Sequence, residues 1–148
     1  MNKIELKFSA SLINESLARN AISNFIAPLN PTLEELGEIK TIVSEAVSNA
    51  IIHGYNFDES KDVILRGEIS SNNLKLVILD FGVGIEDISK AKTPHFSSRP
   101  DLERAGMGLT IMETLSDSFD IRSVFGMGTK IVINKVINNV ESKEGERI

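Results

Sequence analysis

The chain has 148 residues, a formal net charge of −5 and no cysteine, which fits one domain with a substantial core and excludes disulfides and thiolate metal sites. Its negative charge, and its single tyrosine without any tryptophan, argue against broad nucleic-acid binding, which needs many phosphate contacts or aromatic platforms for bases. No apolar run reaches the roughly 20 residues that cross a bilayer, and the N-terminus lacks a signal-peptide pattern, so we expect a cytoplasmic protein without direct membrane or nucleic-acid contacts.

The first half of the sequence predicts one strand and two helices. Apolar residues alternate with charged ones over residues 4–8, which is typical of a half-buried strand. They recur at helical spacing over residues 11–27, until two prolines interrupt the pattern. Residues 32–35 (Thr-Leu-Glu-Glu) have the capping-box pattern that opens a second helix. We expect this helix to run to about His53, with Gly54 as a left-handed stop.

The C-terminal half of the second helix carries the most informative pattern. Glu45, Asn49 and His53 are each four residues apart, so on an α-helix they form one polar line among apolar neighbours. A carboxylate one turn before a carboxamide is costly to bury on such a helix without a partner or a function. An acidic general base beside a neutral oxygen ligand suits magnesium-nucleotide chemistry. For His53 we favour a structural role near the helix end over a catalytic one.

The second half of the sequence predicts four strands, one helix and two hairpins. Strands are expected at residues 63–69, 74–79, 119–124 and 130–136, and a helix is expected between residues 106–108 and residue 115. Turn-forming residues at 70–73 and 126–128 join the strands into hairpins. The stretch 93–105, with two prolines and several charges, is the only long candidate loop.

The order of these elements, β-α-α-β-β-α-β-β, predicts an α+β fold. In such a fold the helices pack on one face of a mixed sheet. We assign residues 1–136 to a single domain and expect the charged residues 137–148 to form a frayed tail.

Three glycine motifs are candidates for ligand contacts, although each is weak alone. Residues 80–84 (Asp-Phe-Gly-Val-Gly) follow a strand, so the Asp could accept from an exocyclic amine while the glycines admit a flat ligand; a plain turn is an equally good interpretation. Residues 106–108 (Gly-Met-Gly) precede a helix whose N-terminus can cradle a phosphate, or they are a flexible helix start. Residues 126–129 (Gly-Met-Gly-Thr) best fit a hairpin turn. None has the Rossmann or the Walker spacing.

The order of the motifs resembles one known superfamily. Glu-x3-Asn-x3-His-Gly, Asp-x-Gly-x-Gly, Gly-x-Gly and Gly-x-Gly-Thr follow one another as in the GHKL ATPases, the group of gyrases, chaperones and histidine kinases. Residues 14–19, 43–55, 100–108 and 110–113 resemble more closely the anti-sigma-F family, small serine protein kinases of spore-forming bacteria. The resemblance covers residues 3–136 and implies a two-layer α/β sandwich of the GHKL (Bergerat) type, with helices on one face of a mixed, mostly antiparallel sheet.

The resemblance implies a role for each central polar residue. Asn49 would coordinate the Mg²⁺ ion that bridges the nucleotide phosphates. Glu45 would be the general base that orients or deprotonates the attacking hydroxyl. Asp80 would accept from the adenine amino group, which favours ATP over GTP.

The resemblance also implies contacts around the nucleotide and toward protein partners. Residues 93–105 would form a mobile lid, and Arg104 would neutralise charge that develops on the γ-phosphate. Arg19, on the polar side of the first helix, would touch both protein partners, although the sequence alone favours a solvated surface arginine. The remaining implied nucleotide contacts are Gly82, Gly84, Gly106, Met107, Gly108 and Thr129.

The implied function is that of an anti-sigma factor which is also a serine kinase. With ATP bound, it would hold a sporulation sigma-F factor away from RNA polymerase, and it would phosphorylate a serine of a small anti-anti-sigma protein. With ADP bound, it would favour a stable complex with that unphosphorylated antagonist, and the resemblance also implies a homodimer. Two alternatives stay open: a nucleotide-dependent sigma-sequestering module with little kinase activity, and a GHKL serine kinase of a stress-response sigma pathway.

Overall fold

The computed structural model describes residues 1–85 and 108–137. The described elements follow the order predicted from the sequence: β1 (Asn2–Ser9), α1 (Ile13–Ile26), α2 (Leu33–Asn49), β2 (Asp62–Ser70), β3 (Asn73–Asp80), α3 (Gly108–Leu115), β4 (Ser118–Val124) and β5 (Gly128–Val136). The expected lid at residues 93–105, with Arg104, lies outside the described residues, as do Gly106 and Met107.

The five described strands form one sheet in the order β1-β2-β3-β5-β4. Each of their pairings is antiparallel, so the mostly antiparallel character is confirmed, and the described part of the sheet holds no parallel pair. The three helices pack against this sheet as a second layer, which confirms the two-layer α+β architecture. Among the described residues, no helix is both long and apolar enough to cross a membrane.

The core lies between the helices and one face of the sheet. In the antiparallel register Leu65 is opposite Ile78, and Ile78 is opposite Ile131, so these three side chains share one face. All three are buried and join one cluster with residues of every helix, among them Ile22 of α1 and Met112 of α3. The α2 helix packs against both α1 and α3, which makes it the central helix of its layer.

The N-terminus of α2 is fixed by the capping box that the sequence predicts. The Oγ1 atom of Thr32 accepts from the Glu35 N–H at 3.0 Å, and the Glu35 carboxylate accepts from the Thr32 N–H at 3.0 Å. Two N–H groups that have no partner within the helix are thereby satisfied. This capping box fixes the start of the helix that bears Glu45 and Asn49.

The C-terminus of α2 differs from the prediction in two ways. Regular α-helix ends at Asn49 and is followed by one wider turn, Ala50–Gly54, which the Tyr55 N–H closes by donating to the Ala50 carbonyl at 3.0 Å. The predicted left-handed stop at Gly54 is wrong, because the left-handed residues are Asn56, with φ of 49°, and Phe57, with φ of 64°. The helix therefore unwinds through a wide turn before the chain reverses.

Both predicted hairpins are confirmed. Ser70 pairs with Asn73 across the tight turn between β2 and β3, and Val124 pairs with Gly128 at the turn between β4 and β5. Ile137, which the sequence interpretation assigned to the tail, is fully buried, and its N–H donates to the Asn72 carbonyl at 2.7 Å. Packing of the described chain therefore extends through Ile137, and residues 138–148 lie outside the described residues.

Candidate nucleotide-binding site

The polar pair at the end of α2 is the starting point of the site. Glu45 and Asn49 lie four residues apart on regular α-helix and are both half-buried, while Ala46 and Val47 between them are fully buried. The wide turn that follows takes more residues per revolution, so His53 falls short of the position that an α-helix would give it. His53 belongs to this wide turn, a kind of turn that is often found at functional sites.

The wide turn packs directly against the Asp80 loop (residues 80–84), which follows β3. The Gly54 carbonyl accepts from the Val83 N–H at 2.9 Å. A Cβ atom on Gly54 would lie 2.7 Å from Oδ1 of Asp80, and one on Gly82 would lie 1.9 Å from the Gly54 carbonyl oxygen. Only glycine permits these approaches. The structure thus joins the helix of Glu45 and Asn49 to the first glycine motif.

The Asp80 carboxylate is the buried acidic group of this junction. The residue is 5% exposed, and its Oδ1 accepts from the Gly82 N–H at 3.0 Å. Burial raises the pKa of the Asp80 carboxyl to about 6, although hydrogen bonds from the Gly82 and Thr129 N–H groups oppose the rise. A buried carboxylate with a strongly raised pKa beside glycine loops marks a candidate ligand site.

Thr129 and Ser123 continue the row of polar groups across the sheet. Asp80 is opposite Thr129, and Thr129 is opposite Ser123, so the three side chains share the face that the helices cover. The two hydroxyl groups are 2.8 Å apart, and the Ser123 hydroxyl also accepts from the Ile85 N–H at 2.6 Å. The sequence interpretation missed Ser123, although the β4 alternation that turns Phe119 and Ile121 inward also turns Ser123 inward.

The second glycine of the Asp80 loop anchors it to the β4–β5 hairpin. Gly84 has φ of 74°, and a Cβ atom there would lie 2.3 Å from the Val124 carbonyl oxygen. The Gly126 N–H donates to the Val83 carbonyl at 2.5 Å. The two described glycine motifs are therefore in contact, as a shared ligand site requires.

The remaining predicted residues divide between two places. Gly108 is the buried first residue of α3, which packs against α2. Arg19 lies on α1, where its guanidinium is 3.6 Å from the Glu15 carboxylate and 37% of its side chain is exposed. Glu15 in turn accepts a hydrogen bond from Ser44, the residue before Glu45. A chain of polar contacts therefore connects the surface of α1 with the helix of Glu45.

Comparison with known proteins identifies the family. A family model described as a histidine kinase-like ATPase domain matches residues 8–135. An anti-sigma F factor of Clostridium perfringens (strain SM101 / Type A) is 50% identical over 137 residues, which cover 93% of this chain and 98% of that protein. The chain belongs to the anti-sigma F factor family. A second member of the family, from Shouchella clausii (strain KSM-K16), is 48% identical over 141 residues, covering 95% of this chain and 97% of that protein.

Solved structures support the fold of this family member. The crystal structure of the RsbU and RsbW domains of Rv1364c from Mycobacterium tuberculosis matches with a TM-score of 0.67 at 16% identity, covering 93% of this chain and 33% of that one. The mycobacterial sensor histidine kinase MprB matches with a TM-score of 0.54 at 20% identity, covering 69% of this chain and 72% of that one. At such identities the likeness concerns the fold, and nucleotide binding follows from the ATPase-domain family.

The raised pKa of Asp80 leads to a pH-dependence of nucleotide binding. As the expected acceptor for the adenine amino group, Asp80 accepts most strongly when ionised, because protonation removes its charge and turns one oxygen into a hydroxyl donor. We therefore expect ATP affinity to fall as the pH drops through about 6. At pH 5 the dissociation constant should be roughly tenfold higher than at pH 7.5. Calorimetric titration measures this, with inosine triphosphate, which lacks the amino group, as control. If the affinities for ATP and inosine triphosphate change by the same factor between pH 7.5 and pH 5, the acceptor role is contradicted.

Proposed function

We propose that the chain is an anti-sigma factor and an ATP-dependent serine kinase. In this proposal it binds a sporulation sigma-F factor in the ATP state and phosphorylates a serine of its anti-anti-sigma antagonist, in the cytoplasm and as a homodimer. The observation that carries the proposal is the packing of buried Asp80 against the end of the helix that bears Glu45 and Asn49. Relatives in the anti-sigma F factor family that are 50% identical to this chain support a sigma factor as the partner.

The described residues fit an adenine nucleotide. Asp80 presents a buried acceptor to an amino group, whereas guanine has a carbonyl oxygen at the same position, and two acceptors repel each other. Thr129 flanks Asp80. The glycines Gly82, Gly84 and Gly108, with Gly106 and Met107, are the proposed backbone contacts to the base and phosphates.

Asn49 is the proposed ligand of Mg²⁺. Its side chain offers a neutral oxygen at the last position of regular helix and is half-buried, which leaves one side open to a ligand. When bound, the ion supplies charge neutralisation at the phosphate oxygens.

Glu45 and Arg104 are the proposed catalytic residues. Glu45 takes the proton from the serine hydroxyl of the antagonist while the serine Oγ forms a bond to the γ-phosphorus. The bond between the γ-phosphorus and the bridging oxygen breaks, and ADP leaves with that electron pair. Arg104 neutralises charge on the transferred group. Phosphoserine and ADP are the products.

Phosphoserine detection tests the kinase activity directly. The full chain is incubated with Mg-ATP and the candidate anti-anti-sigma protein, and transfer is measured by mass spectrometry. We expect one phosphoserine on the antagonist, lost when the acceptor serine is replaced by alanine. ATP-dependent sigma binding without transfer would favour the sequestering module, and transfer only to a stress-pathway antagonist would favour that branch of the superfamily.

Arg19 is the proposed contact to both protein partners. Arg19→Glu should weaken binding of sigma factor and antagonist by roughly 30-fold or more, because a charge reversal leaves the partner's charge unpaired in the interface. ATP affinity should stay unchanged, since Arg19 lies on α1 outside the Asp80 junction. Arg122→Glu is the matched control, because its side chain on β4 is 81% exposed. Normal binding of both partners by Arg19→Glu would overturn the assignment.

A further inference from the structure

The Tyr55 hydroxyl links three elements next to the candidate adenine acceptor. Tyr55 ends the wide turn and is 7% exposed. Its Oη donates to the Asp62 carbonyl at 2.7 Å, at the start of β2, and accepts from the Phe81 N–H at 2.7 Å, directly after Asp80. The single tyrosine of the chain thus ties the end of α2 and the start of β2 to the Asp80 loop.

We propose that Tyr55 is a positioning residue which holds Asp80 in place to recognise the amino group of adenine. This inference rests on the proposed nucleotide-binding function and extends it to purine specificity. Phe81 is the first residue beyond the last β3 pair, so no strand neighbour fixes it in the sheet register. Instead, the Tyr55 hydroxyl holds Phe81 in place by accepting a hydrogen bond from its N–H.

The contacts around Asp80 show why this hydroxyl has a specific effect. The carboxylate accepts from Gly82, two residues along, and the Val83 N–H donates to Gly54, the residue before Tyr55. Tyr55 and Gly54 therefore hold the loop on both sides of the Gly82 contact. Burial raises the pKa of the Tyr55 hydroxyl and the nearby Asp80 charge adds to the rise, so the hydroxyl stays protonated and able to donate.

Loss of the hydroxyl should affect the base more than the phosphates. Without it, the Asp62 carbonyl and the Phe81 N–H lose a hydrogen-bond partner, and the Asp80 loop can shift relative to the wide turn. Glu45 and Asn49 lie on regular helix before that turn and keep their positions. Affinity for a nucleotide with an amino group should fall, while affinity for one without it should change little.

Tyr55→Phe tests this inference through the ratio of two affinities. We expect the preference for ATP over inosine triphosphate, measured by calorimetric titration of the full chain, to fall about tenfold. In the kinase assay the KM for ATP should rise with little change in kcat. Thr41→Val is the matched control, because it removes a hydroxyl that donates to the Gly37 carbonyl at 3.0 Å on the exposed side of α2.

The outcomes separate this inference from the proposed function. A purely structural hydroxyl would lower stability and both affinities together, so an unchanged preference in Tyr55→Phe would overturn the positioning role. Failure of the wild-type chain to bind either nucleotide would instead overturn the proposed function.

A second measurement covers the case in which Tyr55→Phe does not fold. Growth on 3-fluorotyrosine labels Tyr55 alone, since the chain has one tyrosine. We expect its ¹⁹F resonance to shift with ATP and much less with inosine triphosphate. Equal responses to the two nucleotides, or none to either when both bind, would contradict the inference.

Discussion

Replacement of Glu45 by glutamine is expected to slow phosphate transfer to the antagonist roughly a thousandfold, because an amide cannot take the proton of the attacking serine. ATP affinity should remain within about threefold, since the amide has the same shape and the neighbouring core residues Ala46 and Val47 are untouched. Single-turnover transfer, followed by mass spectrometry of the antagonist, measures the effect.

Glu34→Gln is the matched control for this prediction. Glu34 lies on the same helix, exposed in its first turn and far along the axis from Asn49. The control should transfer phosphate at the wild-type rate. A Glu45→Gln protein that is equally active would remove Glu45 from the mechanism, and one that no longer binds ATP would assign Glu45 to binding instead.

Gly82→Ala is expected to disrupt the junction between the Asp80 loop and the wide turn. The new methyl group would lie 1.9 Å from the Gly54 carbonyl oxygen, so loop and turn must separate by more than a side-chain adjustment. We expect the unfolding free energy to fall by about 2–3 kcal/mol and ATP affinity to fall at least about tenfold. Denaturant unfolding and calorimetric ATP titration measure the two effects.

Gly37→Ala separates this close approach from a general effect of glycine replacement. A Cβ atom on Gly37 has no neighbour within 4 Å, and the residue lies on exposed regular helix. The variant should be more stable by about 0.5–1 kcal/mol and bind ATP normally. If Gly82→Ala is as stable as Gly37→Ala and binds ATP as tightly, the prediction is wrong and the junction tolerates a wider separation.

The parts of the fold that the sequence predicted correctly depend on nearest neighbours along the chain. The capping box needs only Thr32 and Glu35, and the tight turn after Ser70 needs only a short polar stretch between two apolar strands. Each of these signals is contained within a few residues, and the periodicity of the flanking segments agrees with it.

The wide turn was missed because its cause lies elsewhere in the chain. Local preference makes Gly54 a left-handed stop, whereas in the structure Gly54 is required by the approach of Asp80 and Gly82. The same reason explains Ser123 and Tyr55, whose hydrogen-bond partners come from other elements. The motif order located Asp80 and Glu45 within a candidate site, but the contacts that hold the acidic loop could only come from the fold.

The pairing of Asp80 with Thr129 affects the stage of synthesis at which the candidate nucleotide site can form. Strand β5, which carries Thr129, is the last of the described strands along the chain, and it lies between β3 and β4 in the sheet. A chain emerging from the ribosome therefore displays β3 with one edge unpaired by β5, and Asp80 without Thr129, until residues 128–136 have been made. We therefore expect the proposed adenine acceptor to gain its Thr129 neighbour only after β5 has joined the sheet.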